Sequence, residues 1–186
     1  MGEAKRKREK MRSDLLQELD RWSRPNSASE ERIASALAGL PVLQLERQPK
    51  HVLEYMRMKP RQCHLNCDEY RRLDPDGKSE TVTGWRPING VYVLHSVVKR
   101  EGVLSCITPA PFESHNMIDF VVDESVQKIT GENGKYVFTR EGDVIEYGVR
   151  SDPEKVIDIS AKMRARLEQG ASPYTVMEEA FDLWGV

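Results

Sequence analysis

A cysteine and two side-chain amides occur within one short segment, QCHLN at residues 62–66. Pro60 disfavours a helical conformation in the residue before it, and the residues after Cys63 favour a helix, so we expect Cys63 at a helix N-terminus. Free backbone N–H groups and the positive end of the helix dipole stabilise a thiolate there, the nucleophilic form of cysteine. The same N–H groups and the Gln62 amide could stabilise an oxyanion on a substrate.

A nucleophilic thiol needs a base, and we assign that role to His95. His64 follows Cys63 directly, and successive side chains on a helix point about 100 degrees apart, so His64 is a poor base. His95 lies in the alternating segment VYVLHSVVK, which predicts a strand that carries the histidine on its core-facing side. A histidine buried for packing alone is the alternative explanation.

A predicted hairpin brings a third residue to His95. A two-residue loop at positions 100–101 pairs Lys99 with Gly102 and places Cys106 directly opposite His95, with the Cβ atoms about 5 Å apart. A three-residue loop would shift the register by one residue and move this partner.

This order of elements, a cysteine at a helix start, a histidine on a strand and a polar partner on the next strand, resembles the papain-like thiol hydrolases of the cell-wall peptidase and amidase kind. The segments RQCHLN, GWRPINGVYVLHSVV and GVLSCITP also resemble a small set of bacterial proteins with a Gln-Cys-His-x-Asn start. The resemblance covers about a quarter of the chain, residues 61–109. It implies Cys63 as the nucleophile, His95 as the base and Gln62 as a possible oxyanion donor.

One position departs from that pattern, which implies an aspartate where this sequence has Cys106. A thiol cannot stabilise an imidazolium as a carboxylate does, so either Glu113 or Asp119 takes this role, or the site is weakened or inactive. We keep Cys106 in the predicted catalytic set, and we assign Asn66 and Trp85 to substrate binding.

A metal site is an alternative use of the same residues. Cys63 and Cys67 would lie one helical turn apart, and His95, Cys106 and His115 could complete a tetrahedral set of sulfur and nitrogen ligands. However, a Cys-x-x-x-Cys spacing on one helix is not typical of zinc modules, and the sequence has no Cys-x-x-Cys pair. We therefore predict neither a metal nor another cofactor, with a zinc module as an alternative.

The hydrophobic pattern predicts an α+β fold around this site: a papain-like core in which the cysteine-bearing helix packs on an antiparallel sheet of about five or six strands. Residues 1–48 are predicted as a basic start and helical extension, 49–150 as the core, and 151–186 as a C-terminal helical pair packed on it. Leu65, Tyr70 and Leu73 form the predicted apolar face of the cysteine-bearing helix. The predicted strands are TVTGWRPI, GVYVLHSVVK, GVLSCIT, IDFVVD, KYVFTR and DVIEYGV.

Composition limits the classes of partner. With 31 % charged residues and a formal net charge of −2, the chain lacks the overall cationic field of nucleic-acid-binding proteins, so we predict no nucleic-acid partner. No run approaches the ~20 apolar residues that span a bilayer, and we predict no membrane contact. The basic start MGEAKRKREKMR lacks the apolar segment of a secretion signal, and three cysteines do not make a disulfide framework. These features predict a cytoplasmic protein.

Two functions are compatible with these observations. The first is a bacterial or phage thiol hydrolase or acyltransferase that acts on an amide, isopeptide or ester bond through Cys63 and His95. The second is a non-catalytic binding or inhibitor protein on the same scaffold, with a protein as its partner.

Overall fold

The computed structural model describes residues 2–110, 116–130, 136–145 and 148–184. These residues form six helices and nine strands in an α+β arrangement. The helices are α1 (Glu3–Trp22), α2 (Ala28–Ala38), α3 (Lys50–Tyr55), α4 (Cys63–Leu73), α5 (Pro153–Glu168) and α6 (Pro173–Trp184). The strands are β1 (Val42–Arg47), β2 (Ser79–Ile88), β3 (Val91–Arg100), β4 (Val103–Cys106), β5 (Met117–Val122), β6 (Val126–Thr130), β7 (Tyr136–Arg140), β8 (Asp143–Ile145) and β9 (Gly148–Arg150).

The chain forms two compact units. The first comprises Met1–Glu31, Ile88–Val91 and Arg150–Val186, and the second comprises Arg32–Pro87 and Tyr92–Val149. All of the predicted site residues that the structure describes belong to the second unit. None of the helices in the described ranges combines the length and the apolar composition that crossing a bilayer requires.

Helices α1, α5 and α6 pack on each other in the first unit. Asp152 caps α5 by accepting a hydrogen bond from the Lys155 backbone N–H at 3.0 Å, and Pro153 occupies the first turn. The buried side chains of α5, among them Ile159 and Leu167, pack against Leu19 of α1 and Val176 of α6. Helices α5 and α6 lie within the range 151–186 that we predicted as a helical pair.

The main sheet of the second unit has six strands in the order β2-β5-β1-β4-β3-β9. It is mixed, because β1 runs parallel to β4 and antiparallel to β5. The prediction of an antiparallel sheet is therefore wrong for β1 and β4. In addition, Val42–Arg47 is a strand within the range 1–48 that we predicted as a helical extension. The short segment VLQLER acquires its partners from distant parts of the chain, which local periodicity does not reveal.

The main sheet closes on itself because β2 pairs with β3 as well as with β5. Gly84 permits the close approach of β2 and β5: a Cβ atom at this position would lie 2.2 Å from the carbonyl oxygen of Val121 and 2.8 Å from the ring of Phe120. The described side chains inside the closed sheet form a core whose buried members all come from strands, including Leu45, Val97 and Cys106. We call this the inner core.

The other side of the main sheet, its outer face, is covered by helices and by a second sheet. Cys67 of α4 packs with Val98, and Leu37 of α2 packs with Trp85. The second sheet has the order β6-β7-β8 and places Phe138 against the same surface. We predicted β7 and β8 as strands of the main sheet, whereas the structure separates them from it.

Candidate functional site

Cys63 is the first residue of α4, as predicted, and Gln62 is its N-cap residue. The side chain of Gln62 makes no capping hydrogen bond and is exposed, whereas its carbonyl oxygen accepts the Asn66 N–H at 2.8 Å. Arg61 has a φ of 63°, so the chain turns through the left-handed region before the helix begins. Pro60 and this turn together explain why α4 starts at Cys63.

The surroundings of the Cys63 thiol shift its pKa upward. Burial raises the pKa of the Cys63 thiol above its usual value, and the backbone N–H groups of Ser96 and His64 oppose that shift without reversing it. The nearby Cys106 thiol adds to the increase. Desolvation thus outweighs the favourable backbone dipoles, which is the opposite direction to the stabilised thiolate expected at the helix start.

The His95 ring contacts Cys106, with 3.5 Å between His95 Nε2 and Cys106 Sγ. Its ring also lies edge-on to Phe120, with 6.3 Å between the ring centroids. His95 is 8 % exposed and Cys106 is 1 % exposed. The imidazole and thiol that the structure brings together are therefore both buried at the inner core.

The predicted hairpin register is wrong by two residues. The structure pairs Arg100 with Val103 and Lys99 with Leu104, so the loop is Glu101-Gly102. Both loop residues have positive φ, 51° and 85°, as a type I′ turn requires, and Gly102 fits its second position.

This register shift preserves the contact between His95 and Cys106. Since side chains alternate along a strand, a shift of two residues leaves both on the same face, and Cys106 becomes a diagonal neighbour of His95 instead of its direct partner.

His64 lies on the outer face, where a hydrogen bond of 2.7 Å joins its Nδ1 to Ser96 Oγ. Ser96 Oγ in turn lies 2.9 Å from Thr83 Oγ1. The His64 ring also stacks at a tilt on Phe138, with 4.4 Å between centroids. Burial, followed by the positive charge of Lys128, lowers the pKa of His64 to about 4. His64 is therefore a neutral, packed side chain at physiological pH.

Asn66 fixes the loop in front of α4. Its Oδ1 accepts the Lys59 backbone N–H at 3.0 Å, and its Nδ2 donates to the Lys59 carbonyl oxygen at 2.9 Å. A longer hydrogen bond of 3.4 Å reaches Thr108 Oγ1. The Asn66 amide thus pairs with both backbone groups of Lys59, as a neighbouring strand would, and its contacts indicate a structural role.

Trp85 is a core residue of the outer face with no exposed surface. Its Nε1 donates to Asp123 Oδ2 at 2.8 Å, and Arg140 Nε donates to the same oxygen at 2.9 Å. In this conformation the indole packs the core and offers no surface to the substrate that we predicted for it.

Asp119, the one remaining candidate within the described residues, does not join His95. Asp119 is exposed on β5, whereas its neighbours Ile118 and Phe120 point into the inner core, so alternation directs its carboxylate away from His95. Glu113 and His115 lie outside the described residues. Across the described ranges, no three His, Cys, Asp or Glu side chains are grouped to hold a metal ion. The three cysteines are free, and burial raises the pKa of the Cys67 thiol.

An open groove of about 930 Å³ lies between the C-terminal end of α3 and the exposed side of α4. We call it the α3–α4 groove. Exposed apolar side chains line it: Tyr55 is 89 % exposed, Leu65 51 % and Leu73 59 %. Gln62 and Asn66, predicted for the active site, line it as well. We predicted Leu65 and Leu73 as part of the apolar face of α4, and the local pattern does not reveal that this face is exposed.

No protein family, curated protein or solved structure matches this chain.

Proposed function

We propose that this protein is a non-catalytic binding protein whose protein partner occupies the α3–α4 groove. The observation that carries this proposal is the exposure of Tyr55, Leu65 and Leu73 around one groove. Large apolar side chains that share one concave surface are typical of an interaction site.

The state of the reactive side chains supports a non-catalytic role. The Cys63 thiol has a raised pKa, so little of it is thiolate at neutral pH. His95 contacts the thiol of Cys106, which is almost completely buried. His64 is held by Ser96 and by aromatic packing.

The alkylation rate of Cys63 with iodoacetamide, followed against pH by peptide mass spectrometry, tests this proposal. We expect a midpoint above the ordinary cysteine pKa of about 8.5 and the same profile in a His95→Gln variant. A midpoint below pH 7 that rises in His95→Gln would contradict the proposal, since it would show a thiolate stabilised by the histidine.

A second candidate function is a thiol hydrolase or acyltransferase on a papain-like core, with Cys63 as nucleophile and His95 as base. The position of Cys63 favours it: the residue begins α4, and the backbone N–H groups of Ser96 and His64 point at its sulfur. Hydrolysis of p-nitrophenyl acetate tests this candidate. Turnover that disappears in Cys63→Ala and persists in Cys67→Ala would support it, and equal rates in both variants would overturn it.

For either function we propose a cytoplasmic location, because the three cysteines are free thiols.

A further inference from the structure

The carboxylates of the α3–α4 groove already have cationic partners. Arg72 binds Glu69 in a bidentate arrangement, with distances of 2.9 and 2.5 Å. Asp68 accepts a hydrogen bond from Lys128 Nζ at 2.6 Å. These acidic side chains are therefore neutralised within the protein.

The acid at the far end of the groove is matched as well. Asp74 lies 3.6 Å from the Arg100 guanidinium, which also binds Asp76 at 2.9 Å. Asp74 Oδ2 accepts the Ser79 backbone N–H at 2.8 Å. Hydrogen bonds and Arg100 lower the pKa of Asp74, so this carboxylate stays charged and engaged.

In the part of the chain that the structure describes, the cations at the other end of the groove have no such partners. Arg57 and Lys59 line the groove and are exposed, and Arg61 is exposed on the same loop. Within the described ranges, no carboxylate forms an ion pair with any of these three side chains. The groove thus has a surplus of positive charge at the end near Gln62.

The backbone of this cationic loop is held in one conformation. Arg57 and Arg61 are in the left-handed region, with φ of 56° and 63°. Between them, the Met58 N–H donates to the Leu53 carbonyl oxygen at 2.9 Å, and Asn66 binds both backbone groups of Lys59. A loop fixed in advance loses little entropy when it binds a charged partner.

The apolar part of the groove has the dimensions of a short helix contact. Leu65 and Leu73 are eight residues apart on α4, which separates them by about 12 Å along the helix axis. Three apolar side chains at positions i, i+4 and i+7 of a partner helix extend about 10 Å. Such a helix could contact Leu65, Leu73 and Tyr55 together.

The geometry points to an acidic, amphipathic helical peptide segment of a partner protein as the ligand of the α3–α4 groove. This inference rests on the proposed binding function. The apolar face of the peptide segment lies against Leu65 and Leu73, and the carboxylates of the segment bind Arg57 and Lys59. The charge distribution of the groove selects this ligand, because among the described residues the acids along α4 are paired and Arg57 and Lys59 are not.

Fluorescence anisotropy with two synthetic peptides tests this inference. The first is a 14-residue helix-forming peptide with leucine at positions 4, 8 and 11 and glutamate at the flanking positions, and the second has lysine in place of each glutamate. We expect the glutamate peptide to bind at least tenfold more tightly than the lysine peptide, with an affinity that falls as salt increases. Equal binding of both peptides, or no binding of either, would overturn the inference.

Variants assign the binding to the groove. Arg57→Glu with Lys59→Glu should weaken the glutamate peptide at least tenfold and improve the lysine peptide, and Leu65→Asp should weaken both. Lys155→Glu, a change of an exposed lysine on α5 outside the groove, should leave both affinities unchanged. Unchanged binding in the Arg57 and Lys59 variant would overturn the inference.

Failure of the inference can be distinguished from failure of the proposed function. Slow, His95-independent alkylation of Cys63 without peptide binding would overturn the peptide inference alone. Rapid, His95-dependent alkylation would overturn the proposed function. Self-association that Leu65→Asp abolishes, measured by sedimentation, would assign the groove to a second copy of the chain and overturn the inference.

Discussion

Each face of β3 has one imidazole packed on it, His95 on the inner face and His64 on the outer face, and the two environments differ. On the inner face, His95 contacts Cys106 at the inner core. On the outer face, Ser96 holds His64 beneath the second sheet. Two successive residues of β3 thus lie on opposite faces: His95 contacts a thiol, and Ser96 binds the imidazole of His64. The face on which each histidine lies therefore decides which groups its ring can contact.

The largest effect should come from filling the space at Gly84, on which the closure of the inner core depends. In Gly84→Ala the new Cβ would meet the Val121 carbonyl oxygen at 2.2 Å, so β2 and β5 must separate. We expect a loss of about 4 kcal/mol or more in the free energy of unfolding, measured with urea.

Gly39→Ala is the matched control for this change, because a Cβ there would meet only Ala36 O at an ordinary 3.5 Å. We expect its unfolding free energy to change by less than about 1 kcal/mol. If Gly84→Ala were equally mild, the closed sheet would not have the described geometry.

On the outer face, Asp123 is the residue whose loss should cost most. Asp123→Ala leaves the buried Arg140 guanidinium with only the exposed Glu141 among its described carboxylate partners, and it removes the acceptor of the Trp85 N–H. We expect a loss of about 3 kcal/mol in urea unfolding. Asp119→Ala removes an exposed carboxylate from the neighbouring strand and should cost less than about 0.5 kcal/mol. Similar costs for the two variants would contradict the assignment of Asp123 to the core.

Asn66 provides a smaller test, which concerns the loop that borders the groove. In Asn66→Ala the Lys59 backbone N–H and carbonyl lose their partners, and we expect about 2 kcal/mol of destabilisation. Hydrogen exchange at the Lys59 amide should accelerate. Gln62→Ala, which removes an exposed side chain without a capping hydrogen bond, should change neither measurement. Unchanged exchange in Asn66→Ala would contradict the bracing role.

An effect of similar size is the pH dependence that His64 confers. Its folded-state pKa of about 4 lies below the ordinary value of 6.5, so the unfolded state binds more protons between these pH values. Stability should therefore fall as the pH falls from 6.5 to 4, by about 2 kcal/mol after discounting for partial solvent screening.

Urea unfolding at several pH values measures this slope. His64→Gln should reduce it, whereas His51→Gln, a change of an exposed histidine on α3, should retain it. An unchanged slope in His64→Gln would show that His64 is not the group responsible.

The sequence predicts those features that local chemistry determines. Asp152 and Pro153 define the start of α5, Pro60 and the helix formers after it define the start of α4, and alternation identifies β3. The pairing of β1 with β4 brings together segments that are distant in the chain, and no local pattern encodes it.

The candidate site was harder to predict for the same reason. Alternation identifies the side of β3 that carries His95, but the closure of the sheet decides that this side is enclosed by strands while α4 packs on the other. The thiol pKa of Cys63 depends on burial, which follows from packing and not from its position in the helix. The exposure of Leu65 and Leu73 likewise follows from where α4 sits on the outer face.

The central claim is that the His95 ring contacts Cys106 at the inner core. The proton contacts of this ring, measured by nuclear Overhauser effects in the labelled protein, test it most directly. We predict strong contacts from the His95 ring to the Cys106 Hβ protons and to the Phe120 ring, as the 3.5 Å approach of Nε2 to Sγ requires. Strong contacts to the Cys63 Hβ protons instead, with none to Cys106, would contradict the claim and restore the nucleophile and base pair.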